Sequence, residues 1–503
     1  MIRVLGGPKR LCDGLTRRDL LHVGSLGLLG MGLGESDFLS SAARAASSSP
    51  ALPRFGQAKA CILLFLYGSP SQLETFDPKP DAPAEIRGEL KSIASRVPGL
   101  DVCELLPELS RVMDKVTVLR TVSHPYPLHG VAYATTGIPR IDAPLELSPR
   151  DPAQWPFIGS VVDYVDRARA GTQATRPELP RNLLLPWAFS SQRIGEVARS
   201  GPYGGFLGSA YDPTCTEFAG TATRTAKKTL AEKTWEDLEP YRGVTPESRF
   251  QLSSVSNLGP GLTLDRLDRR RSLLEQCEQA RRALDTDVAR SGIDRHRALA
   301  YSLLASEPLR RAFDLDAETA ATRAQYGMTL FGQATLTARR LVEAGGRFVT
   351  VFWDEYGLAG TGWDTHWDHF PRMKDELLPG LDRTLSGLLL DLDARGRLDE
   401  TLVVCLSEHG RTPKLSTGRG GGRDHWSRCY SVLMAGGGIA RGRVVGRSDR
   451  IASDPIDRRV SPKDILATMY HLLGIDPATT LTDRQGRPMS LVPEGEVIVD
   501  ALA

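Results

Sequence analysis

Short, uninterrupted apolar runs recur along this 503-residue chain, and amphipathic segments lie between them. The first run, ACILLFLY at positions 60–67, stops at Gly68-Ser69-Pro70. A run of this length with no polar face predicts a strand that is buried on both sides of a sheet. The further runs of this kind are Val116–Val122, Asn182–Trp187, Arg347–Trp353, Thr401–Leu406 and Ser431–Ala435.

Helical periodicity is found between these predicted strands. Apolar residues repeat every three or four positions at Met373, Leu377, Leu378, Leu381, Leu385, Leu388 and Leu392, and again at Leu273, Cys277, Ala280 and Leu284. Such spacing places them on one face of a helix. A further helix is predicted from Ser461, an N-cap followed by Pro462 and by Asp464 three residues on, to Gly474. Buried strands alternating with helices predict an α/β fold with a mostly parallel central sheet and helices on both faces.

Composition divides the chain into segments with different expected roles. These are an export signal (1–45), a Ser- and Pro-rich linker (46–58), the α/β domain (59–480), an irregular insert within it (141–260) and a C-terminal tail (481–503). The insert is rich in Pro, Gly and Thr, and it is expected to form a partial cap over the sheet edge.

The expected export signal has the parts of a known signal type. Thr16-Arg17-Arg18 and two leucines precede an uncharged apolar stretch, and small residues end at Ala43-Arg44-Ala45. The paired arginines are typical of the twin-arginine type. A membrane anchor is the alternative, but the apolar stretch of about 13 residues is shorter than the roughly 20 that a spanning helix needs. We therefore expect an exported protein, periplasmic or extracellular, with no stable membrane span after signal removal.

The charge balance disfavours one large class of partner. Lys and Arg number 63, and Asp and Glu number 61, which gives a formal net charge of +2. A protein that binds nucleic acid by bulk charge needs a strongly basic surface, so we expect no nucleic-acid partner. The seven cysteines form no CxxC pair, which disfavours a zinc knuckle. Oligomeric state and disulfide pairing stay open.

Four of the nine histidines lie within 60 residues, with acids between them. The set is His366, His369, His409 and His425, with Asp364, Asp368, Glu408 and Asp424. Glu408 and His409 directly follow a predicted strand, and such positions gather at the carboxyl edge of an α/β sheet. Imidazole and carboxylate together suit zinc, manganese or iron. The set therefore predicts a metal or polyanion site, against the alternative of ordinary loop residues with local hydrogen bonds.

A glycine stretch from Gly418 to Gly422 lies just before Asp424 and His425. It lacks the Gly-Lys-Ser/Thr ending of a phosphate-binding loop, and it does not follow a strand. We interpret it as a flexible lead-in that lets His425 reach the site.

Several unusual strings occur in the order found in one protein family. They are Gly68-Ser-Pro-Ser-Gln-Leu-Glu-Thr-Phe-Asp-Pro-Lys-Pro80, Glu85-Ile-Arg-Gly88, Gly362-Trp-Asp-Thr-His366, Ser407-Glu-His-Gly-Arg-Thr-Pro413 and Asp424-His425. On these strings, residues 55–480 resemble the exported DUF1501 family, which is placed in the alkaline phosphatase-like superfamily with phosphatases, sulfatases and metal-dependent phosphoglycerate mutases. The resemblance implies an alkaline phosphatase-like fold that binds two metal ions at the carboxyl end of its sheet.

The resemblance also implies the metal ligands. Asp364 and His366 resemble the superfamily's Asp with a nearby His, and Glu408-His409 resembles its Asp-His pair with Glu in place of Asp. His425 resembles the final His of the pattern. The implied cofactor is a divalent ion, with zinc as the first choice and manganese, iron or calcium as alternatives.

Two positions depart from the superfamily pattern. Its first Asp should follow the first strand, where this chain has Tyr67-Gly68, and the nearest acids are Glu74 and Asp77. No Ser, Thr or Cys stands at the nucleophile's place, where His129 is the closest polar group. These departures disfavour a route through a phosphoenzyme or sulfoenzyme.

These features predict an exported metal-dependent hydrolase of phosphate or sulfate esters, acting on an anionic small molecule or polysaccharide. Arg411 is expected to counter the charge of the substrate, His129 to act as nucleophile or general acid, and Ser71 to position the ester. The alternative is a catalytically degenerate protein that binds a polyanion or glycan or acts as an assembly partner.

Overall fold

The computed structural model describes residues 52–137, 148–149, 151, 153–170, 179–189, 200–230, 233–252, 306–354 and 362–503. Its strands are β1 (Ala60–Leu66), β2 (Ser92–Ala94), β3 (Asp101–Cys103), β4 (Val116–Val122), β5 (Asn182–Leu185), β6 (Thr214–Ala219), β7 (Thr225–Leu230), β8 (Lys233–Leu238), β9 (Arg249–Leu252), β10 (Phe348–Trp353), β11 (Thr401–Leu406), β12 (Gly410–Arg411), β13 (His425–Trp426), β14 (Tyr430–Ala435), β15 (Arg443–Val445), β16 (Arg447–Ser448), β17 (Pro455–Asp457), β18 (Thr480–Thr482) and β19 (Pro488–Ser490). Its α-helices are α1 (Ala84–Arg87), α2 (Pro107–Ser110), α3 (Val131–Thr136), α4 (Ile158–Ala170), α5 (Glu307–Phe313), α6 (Ala320–Tyr326), α7 (Leu330–Glu343), α8 (His369–Arg372), α9 (Leu378–Ala394) and α10 (Pro462–Leu472), and a π-helical turn, Met373–Leu377, joins α8 to α9.

A nine-stranded sheet runs through the domain in the order β15-β4-β14-β11-β1-β10-β5-β6-β9. The five neighbours β11, β1, β10, β5 and β6 are parallel to one another. Strand β14 is antiparallel to both β11 and β4, and β9 is antiparallel to β6. In the middle, Leu64 of β1 pairs with Val351 on one side and Cys405 on the other. The predicted mostly parallel central sheet is confirmed.

Side chains of β1 alternate between two hydrophobic cores. Leu64 and Leu66 pack in one core with the apolar faces of α7 and α9. Leu63 and Phe65 pack in the other with those of α4 and α10. Each such side chain contributes roughly 2 kcal/mol when it is fully buried. Helices therefore cover both faces of the sheet, as the uninterrupted apolar runs predict.

Elements form where the local sequence favours them. Strand β5 ends at Leu185 because Pro186 has no N–H to donate to a sheet. Helix α10 begins with the predicted cap: Ser461 Oγ accepts from the Asp464 N–H at 3.2 Å, and the Asp464 carboxylate accepts from the Ser461 N–H at 2.8 Å. Gly474 follows this helix with φ +79°. The apolar stripe that starts at Met373 forms the π-helical turn and α9.

The predicted segments differ in how much of each the structure describes. The described parts of residues 141–260 include α4, the β7–β8 hairpin and three strands of the central sheet, β5, β6 and β9. Residues 481–503 complete the β18–β19 hairpin and bury Leu491 and Leu502 in the second core. The predicted export signal and the stripe from Leu273 to Leu284 lie outside the described residues.

Two further observations concern the described residues as a group. No helix among them has both the length and the apolar character needed to cross a membrane. Cys61, Cys103, Cys215, Cys405 and Cys429 are free thiols. Burial raises the pKa of Cys103, Cys405 and Cys429 to about 12, so these thiols stay protonated.

Candidate metal centre

The chain leaves β1 through a turn that brings its backbone against Asp364. Gly68 adopts φ +91°, and a Cβ at this position would lie 2.4 Å from the backbone nitrogen of Asp364. No side chain fits at position 68, so the Asp expected after the first strand could not stand at this residue. The Gly68 N–H instead donates to Glu408 Oε1 at 2.8 Å.

Asp364 lies at the middle of the candidate centre and is 7% exposed. Its Oδ1 lies 3.1 Å from His366 Nε2 and 3.4 Å from His425 Nε2. Its Oδ2 lies 3.4 Å from His129 Nε2. Arg411 contacts Oδ1 through Nη2 at 2.5 Å. One carboxylate therefore joins side chains from separate parts of the chain.

A two-residue ladder holds His409 and His425 side by side. Strand β12 pairs with β13 so that Arg411 stands opposite His425. The ring centroids of His409 and His425 are 4.5 Å apart, and that of His425 lies 4.2 Å from His129 and 4.8 Å from His366. The structure thus brings together all five residues predicted as metal ligands, and it adds His129 to them.

Each of the four imidazoles places Nδ1 against an oxygen atom. The partners are Glu408 Oε1 at 2.8 Å for His129, Asp424 Oδ1 at 2.7 Å for His366, the Gly410 carbonyl at 2.8 Å for His409 and the Pro127 carbonyl at 3.2 Å for His425. A carbonyl only accepts, so His409 and His425 donate from Nδ1 and keep a lone pair at Nε2 when neutral. Metal-binding imidazoles are oriented by hydrogen bonds of this kind.

The donor atoms fit a divalent cation. Two groups have ligand atoms within 4.8 Å of one another: His129, His409 and His425, and Asp364, His366 and His425. Among the described residues, His409 Nε2 and Glu408 Oε2 are buried without a hydrogen-bond partner. Leaving buried polar atoms unpaired is costly, and a bound cation would provide a partner for such atoms. Imidazole with carboxylate is also the donor set that zinc prefers.

Burial and Arg411 set the electrostatics of the centre. Burial acts to raise the pKa of Asp364, but Arg411 and the neighbouring imidazoles outweigh it and hold that pKa well below its usual range. Burial acts to lower the pKa of His129, but Asp364 and Glu408 outweigh it and raise that pKa to about 9. Burial, together with Arg411, holds the pKa of His409 well below its usual range. The hydrogen bond to Asp364 also raises the pKa of His366, so without a cation His129 and His366 are the rings whose protonated form the carboxylates favour.

The position of Arg411 does not fit the role predicted for it. Its side chain is 0% exposed. Its guanidinium donates to the carbonyls of Ser69 and Arg423, each at 3.1 Å, and to that of Gly68. With these bonds and the contact with Asp364, each guanidinium nitrogen of Arg411 has a partner inside the protein. Arg411 is placed to hold Asp364 in position, and contact with a substrate does not fit this burial.

A buried ion cluster adjoins the centre, and no sequence pattern singles it out. Glu74 binds Arg423 through Oε1, and its Oε2 lies 3.3 Å from His369 Nε2. His369 Nδ1 lies 2.7 Å from Thr365 Oγ1, and the Arg423 N–H donates to the Thr365 carbonyl at 3.1 Å. The cluster ties the segment of His425 to the segment of Asp364. Glu74 and Arg423 are 349 residues apart, so no local motif connects them.

Three other residues from the sequence analysis have partners or surroundings of their own. Asp77 lies 2.9 Å from Lys79 Nζ, and Asp368 lies 3.4 Å from Arg419 Nε. Ser71 is 1% exposed, and its hydroxyl has no hydrogen-bond partner among the described residues. Neither Glu74 nor Asp77 therefore replaces the absent Asp after β1.

His124 contacts the backbone of Glu408, and no sequence pattern singled it out. Its Nε2 lies 2.8 Å from the Glu408 carbonyl, and its Nδ1 accepts from the Tyr126 N–H. Burial lowers the pKa of His124 to about 4, so its ring is neutral. The residue stands two positions after β4, and a polar residue at a strand end is the signal that would have found it.

Comparison with known proteins gives one family match. The model of the family described as "Protein of unknown function (DUF1501)" matches residues 58–502. No curated protein matches the chain. The family match includes every residue of the candidate centre.

The fold is also similar, at low identity, to several solved structures. PsFucS1 sulfatase from Pseudoalteromonas sp. is 10% identical, with 89% of this chain and 72% of that chain covered and a TM-score of 0.38. Phosphonate monoester hydrolase SpPMH from Silicibacter pomeroyi is 10% identical, with 88% and 75% covered and a TM-score of 0.31. The lipoteichoic acid synthase LtaP from Listeria monocytogenes is 11% identical, with 90% and 79% covered and a TM-score of 0.35.

Proposed function

The chain belongs to the DUF1501 family, and we propose that it hydrolyses phosphate or sulfate esters with a divalent cation bound at the centre described above. Asp364, His366, Glu408, His409 and His425 would hold the cation, with zinc as the first choice and manganese, iron or calcium as alternatives. When bound, the cation would polarise the ester oxygen and lower the pKa of a water molecule.

One observation supports the proposal above the others. His366 Nε2 and His425 Nε2 are 3.1 Å apart, and both lie within 3.4 Å of Asp364 Oδ1. Both rings have Nδ1 occupied by an oxygen, so these Nε2 atoms carry lone pairs when the rings are neutral. Acceptor atoms so close together repel one another unless a proton or a cation lies between them. A cluster of this kind suits a metal-binding role better than a purely structural one.

The protein's own residues supply position and access. Arg411 orients Asp364, and the Gly68 N–H and His129 orient Glu408. The side chain of His366 is 24% exposed, so a substrate would reach the centre from that side. Because the Ser71 hydroxyl is buried, water rather than a serine side chain is proposed as the nucleophile.

The proposal extends to the substrate class and the place of action. The substrate would be an anionic ester of a small molecule or polysaccharide. The twin-arginine pattern supports export to the periplasm or the extracellular space. Since such signals carry folded proteins, a cation could be bound before export.

A specific observation also favours a second function. Gly68 leaves no room for a carboxylate at its own position, and no Ser, Thr or Cys stands where the resemblance places the nucleophile. A centre that has lost catalysis in this way would bind a polyanion or glycan, or serve as an assembly partner.

Ester hydrolysis with and without metal distinguishes the two functions. The purified chain is expected to cleave an aryl phosphate or aryl sulfate, to stop when a chelator removes the cation, and to recover on addition of zinc. His425→Ala should lower the rate by about 100-fold or more. His471→Gln is the matched control, because it keeps a donor for the Pro53 carbonyl that His471 Nε2 contacts. A folded, metal-loaded chain that cleaves neither ester would favour the binding function.

A further inference from the structure

We propose that the apolar rim, an exposed loop formed by residues 125–128, selects esters whose alcohol part is an apolar ring, as in an aryl ester, over esters of sugars. Leu128 is the specificity-determining residue of this loop. The inference rests on the proposed function, since it narrows the substrate of the same centre from any anionic ester to one class.

The rim borders the entrance to the centre. It follows β4 and directly precedes His129. The Pro127 carbonyl accepts from His425 Nδ1 at 3.2 Å, and His425 Nε2 lies 3.1 Å from the Nε2 atom of His366, the ring on the proposed substrate side. The rings of His129 and His425 are themselves partly exposed. An ester group at these rings would therefore place its alcohol part close to the rim.

The side chains of the rim present apolar carbon to solvent. Pro125, Pro127 and Leu128 are all exposed, Leu128 by 54%. No other exposed large apolar side chain in the described ranges is next in sequence to a residue of the centre. A single exposed leucine is ordinary, but neighbouring apolar side chains at the edge of a ligand-binding centre are typical of a contact surface.

The rim offers no backbone donor to a polar ligand. All four of its residues are described, and none has a free N–H: Pro125 and Pro127 have no N–H at all. The Tyr126 N–H donates to His124 Nδ1 at 3.3 Å, and the Leu128 N–H donates to the Tyr126 carbonyl at 2.9 Å. A sugar hydroxyl packed against this loop would lose water without gaining a donor, which is costly.

The carbonyl groups of the rim are engaged as well. The Tyr126 carbonyl accepts from Leu128, and the Leu128 carbonyl accepts from the Gly130 N–H at 2.6 Å. The Pro127 carbonyl accepts from His425. These bonds, with the fixed φ angles of two prolines, hold the loop in one shape. The apolar surface is therefore formed before a ligand arrives, which favours binding of a rigid apolar ring.

An aromatic side chain borders the centre at its other partly exposed ring. Trp367 is partly buried, and its ring lies 5.8 Å from that of His366 with 27° between the planes. Both His366 and His425 therefore have apolar neighbours, and an aryl group at the centre would meet carbon surfaces of the kind that aromatic rings pack on.

The competing occupant of the rim is a second copy of the chain, which would cover Leu128 in a dimer. In that case Leu128→Ser would shift the elution of the chain in gel filtration and leave its ligand selectivity as in the wild type. The two occupants thus differ in what this one substitution changes.

Calorimetry on the zinc-loaded full chain tests the inference with phenylphosphonate and methylphosphonate, which have no ester bond to hydrolyse. The wild type should bind phenylphosphonate about five- to tenfold more tightly than methylphosphonate. Leu128→Ser should bring this ratio close to one, and Leu128→Met, which keeps an apolar side chain, should retain it. Leu390→Ser is the matched control, because Leu390 is 39% exposed on α9, and it should show the wild-type ratio.

Hydrolysis kinetics test the choice between an aryl group and a sugar. The wild type should have a lower KM for phenyl phosphate or phenyl sulfate than for the matching ester of glucose at its 6-position. Leu128→Ser should raise the KM for the phenyl ester by about fivefold.

Four results would overturn the inference. They are a wild type that does not bind phenylphosphonate, a wild-type ratio near one, a lower KM for the glucose ester, and a folded Leu128→Ser variant with the wild-type ratio. The last result together with a changed elution volume would assign the rim to a second copy.

The two measurements keep this inference apart from the proposed function. A preference for phenylphosphonate that is lost in Leu128→Ser, without hydrolysis of any ester, would leave the rim standing and remove the hydrolase. Hydrolysis with equal KM for phenyl and glucose esters, and no preference for phenylphosphonate, would do the reverse.

Discussion

At the residue scale, Gly68 sets how closely the end of β1 approaches the candidate centre. Its missing side chain lets the end of β1 touch the backbone of Asp364, and its N–H holds Glu408. The glycine and its neighbour Ser69 both have positive φ, at +91° and +71°. The sequence shows a turn here, but it does not show that the turn excludes the expected carboxylate, because that depends on a loop some 300 residues away.

Substitution of Gly68 should therefore lower the free energy of unfolding by more than backbone strain alone would. Gly68→Ala places a Cβ 2.4 Å from the Asp364 nitrogen, and we expect it to lower the free energy of unfolding by about 3 kcal/mol or more. Gly99→Ala is the matched control: Gly99 has φ +78°, and a Cβ there meets nothing within 4 Å. The control should cost about 1 kcal/mol. Guanidinium unfolding measures both, and equal costs would contradict the role assigned to Gly68.

At the element scale, the conformation of the segment before His425 could not be predicted from its glycine content. The glycines at 418–422 suggest a flexible lead-in, but the structure shows a docked segment instead. The carbonyls of Gly420 and Gly421 accept from the N–H groups of Phe370 and His369 at 3.0 and 3.2 Å. A Cβ on Gly422 would lie 1.8 Å from the His366 carbonyl. These glycines serve close approach between backbones, which sequence alone does not distinguish from flexibility.

The ion cluster that anchors this segment predicts how stability changes with acid. Burial acts to raise the pKa of Glu74, but Arg423 and His369 outweigh it and lower that pKa from 4.5 to about 2. A depressed folded-state pKa contributes stability above pH 4.5, and this contribution is lost as the pH falls towards 2. The expected contribution is roughly 3 kcal/mol.

Urea unfolding at several pH values between 2 and 7 measures this contribution. Glu74→Gln should make stability depend less steeply on pH in this window, whatever its effect at neutral pH. Glu494→Gln is the control, because Glu494 is 85% exposed and forms a surface ion pair with Lys463. An unchanged pH slope in Glu74→Gln would contradict the assignment.

At the scale of the whole molecule, six of the nine strands of the central sheet could be predicted from the sequence, and β6, β9 and β15 could not. A run such as Thr401–Leu406 can be recognised without its neighbouring strands, because a strand buried on both faces is apolar at nearly every position. Strand ends then located His409 and Asp364. The partners of the rings could not be predicted in this way, since Pro127 and Glu408 meet His425 and His129 only after folding.

Cation binding to the folded chain should stabilise the molecule as a whole. A ligand present at 100 times its Kd adds about 2.7 kcal/mol to the free energy of unfolding. Chelation should therefore lower the Tm, zinc should restore it, and the effect should weaken in acid because imidazoles bind metal only when neutral. Thermal unfolding with and without chelator measures this. A Tm that does not respond to chelator or to zinc would contradict the candidate centre, and His425→Ala should respond less than the wild type.

The reversed direction of β14 has a consequence for how the centre can be altered. Because β14 runs against β11, its amino end lies on the same edge as the carboxyl ends of the parallel strands. His409 therefore follows the carboxyl end of β11, and His425 precedes the amino end of β14, so both lie at this edge. Between the two, residues 413–422 run outside the central sheet and dock on the segment of His366 and His369, so a substitution there should alter the surroundings of the centre without changing strand register.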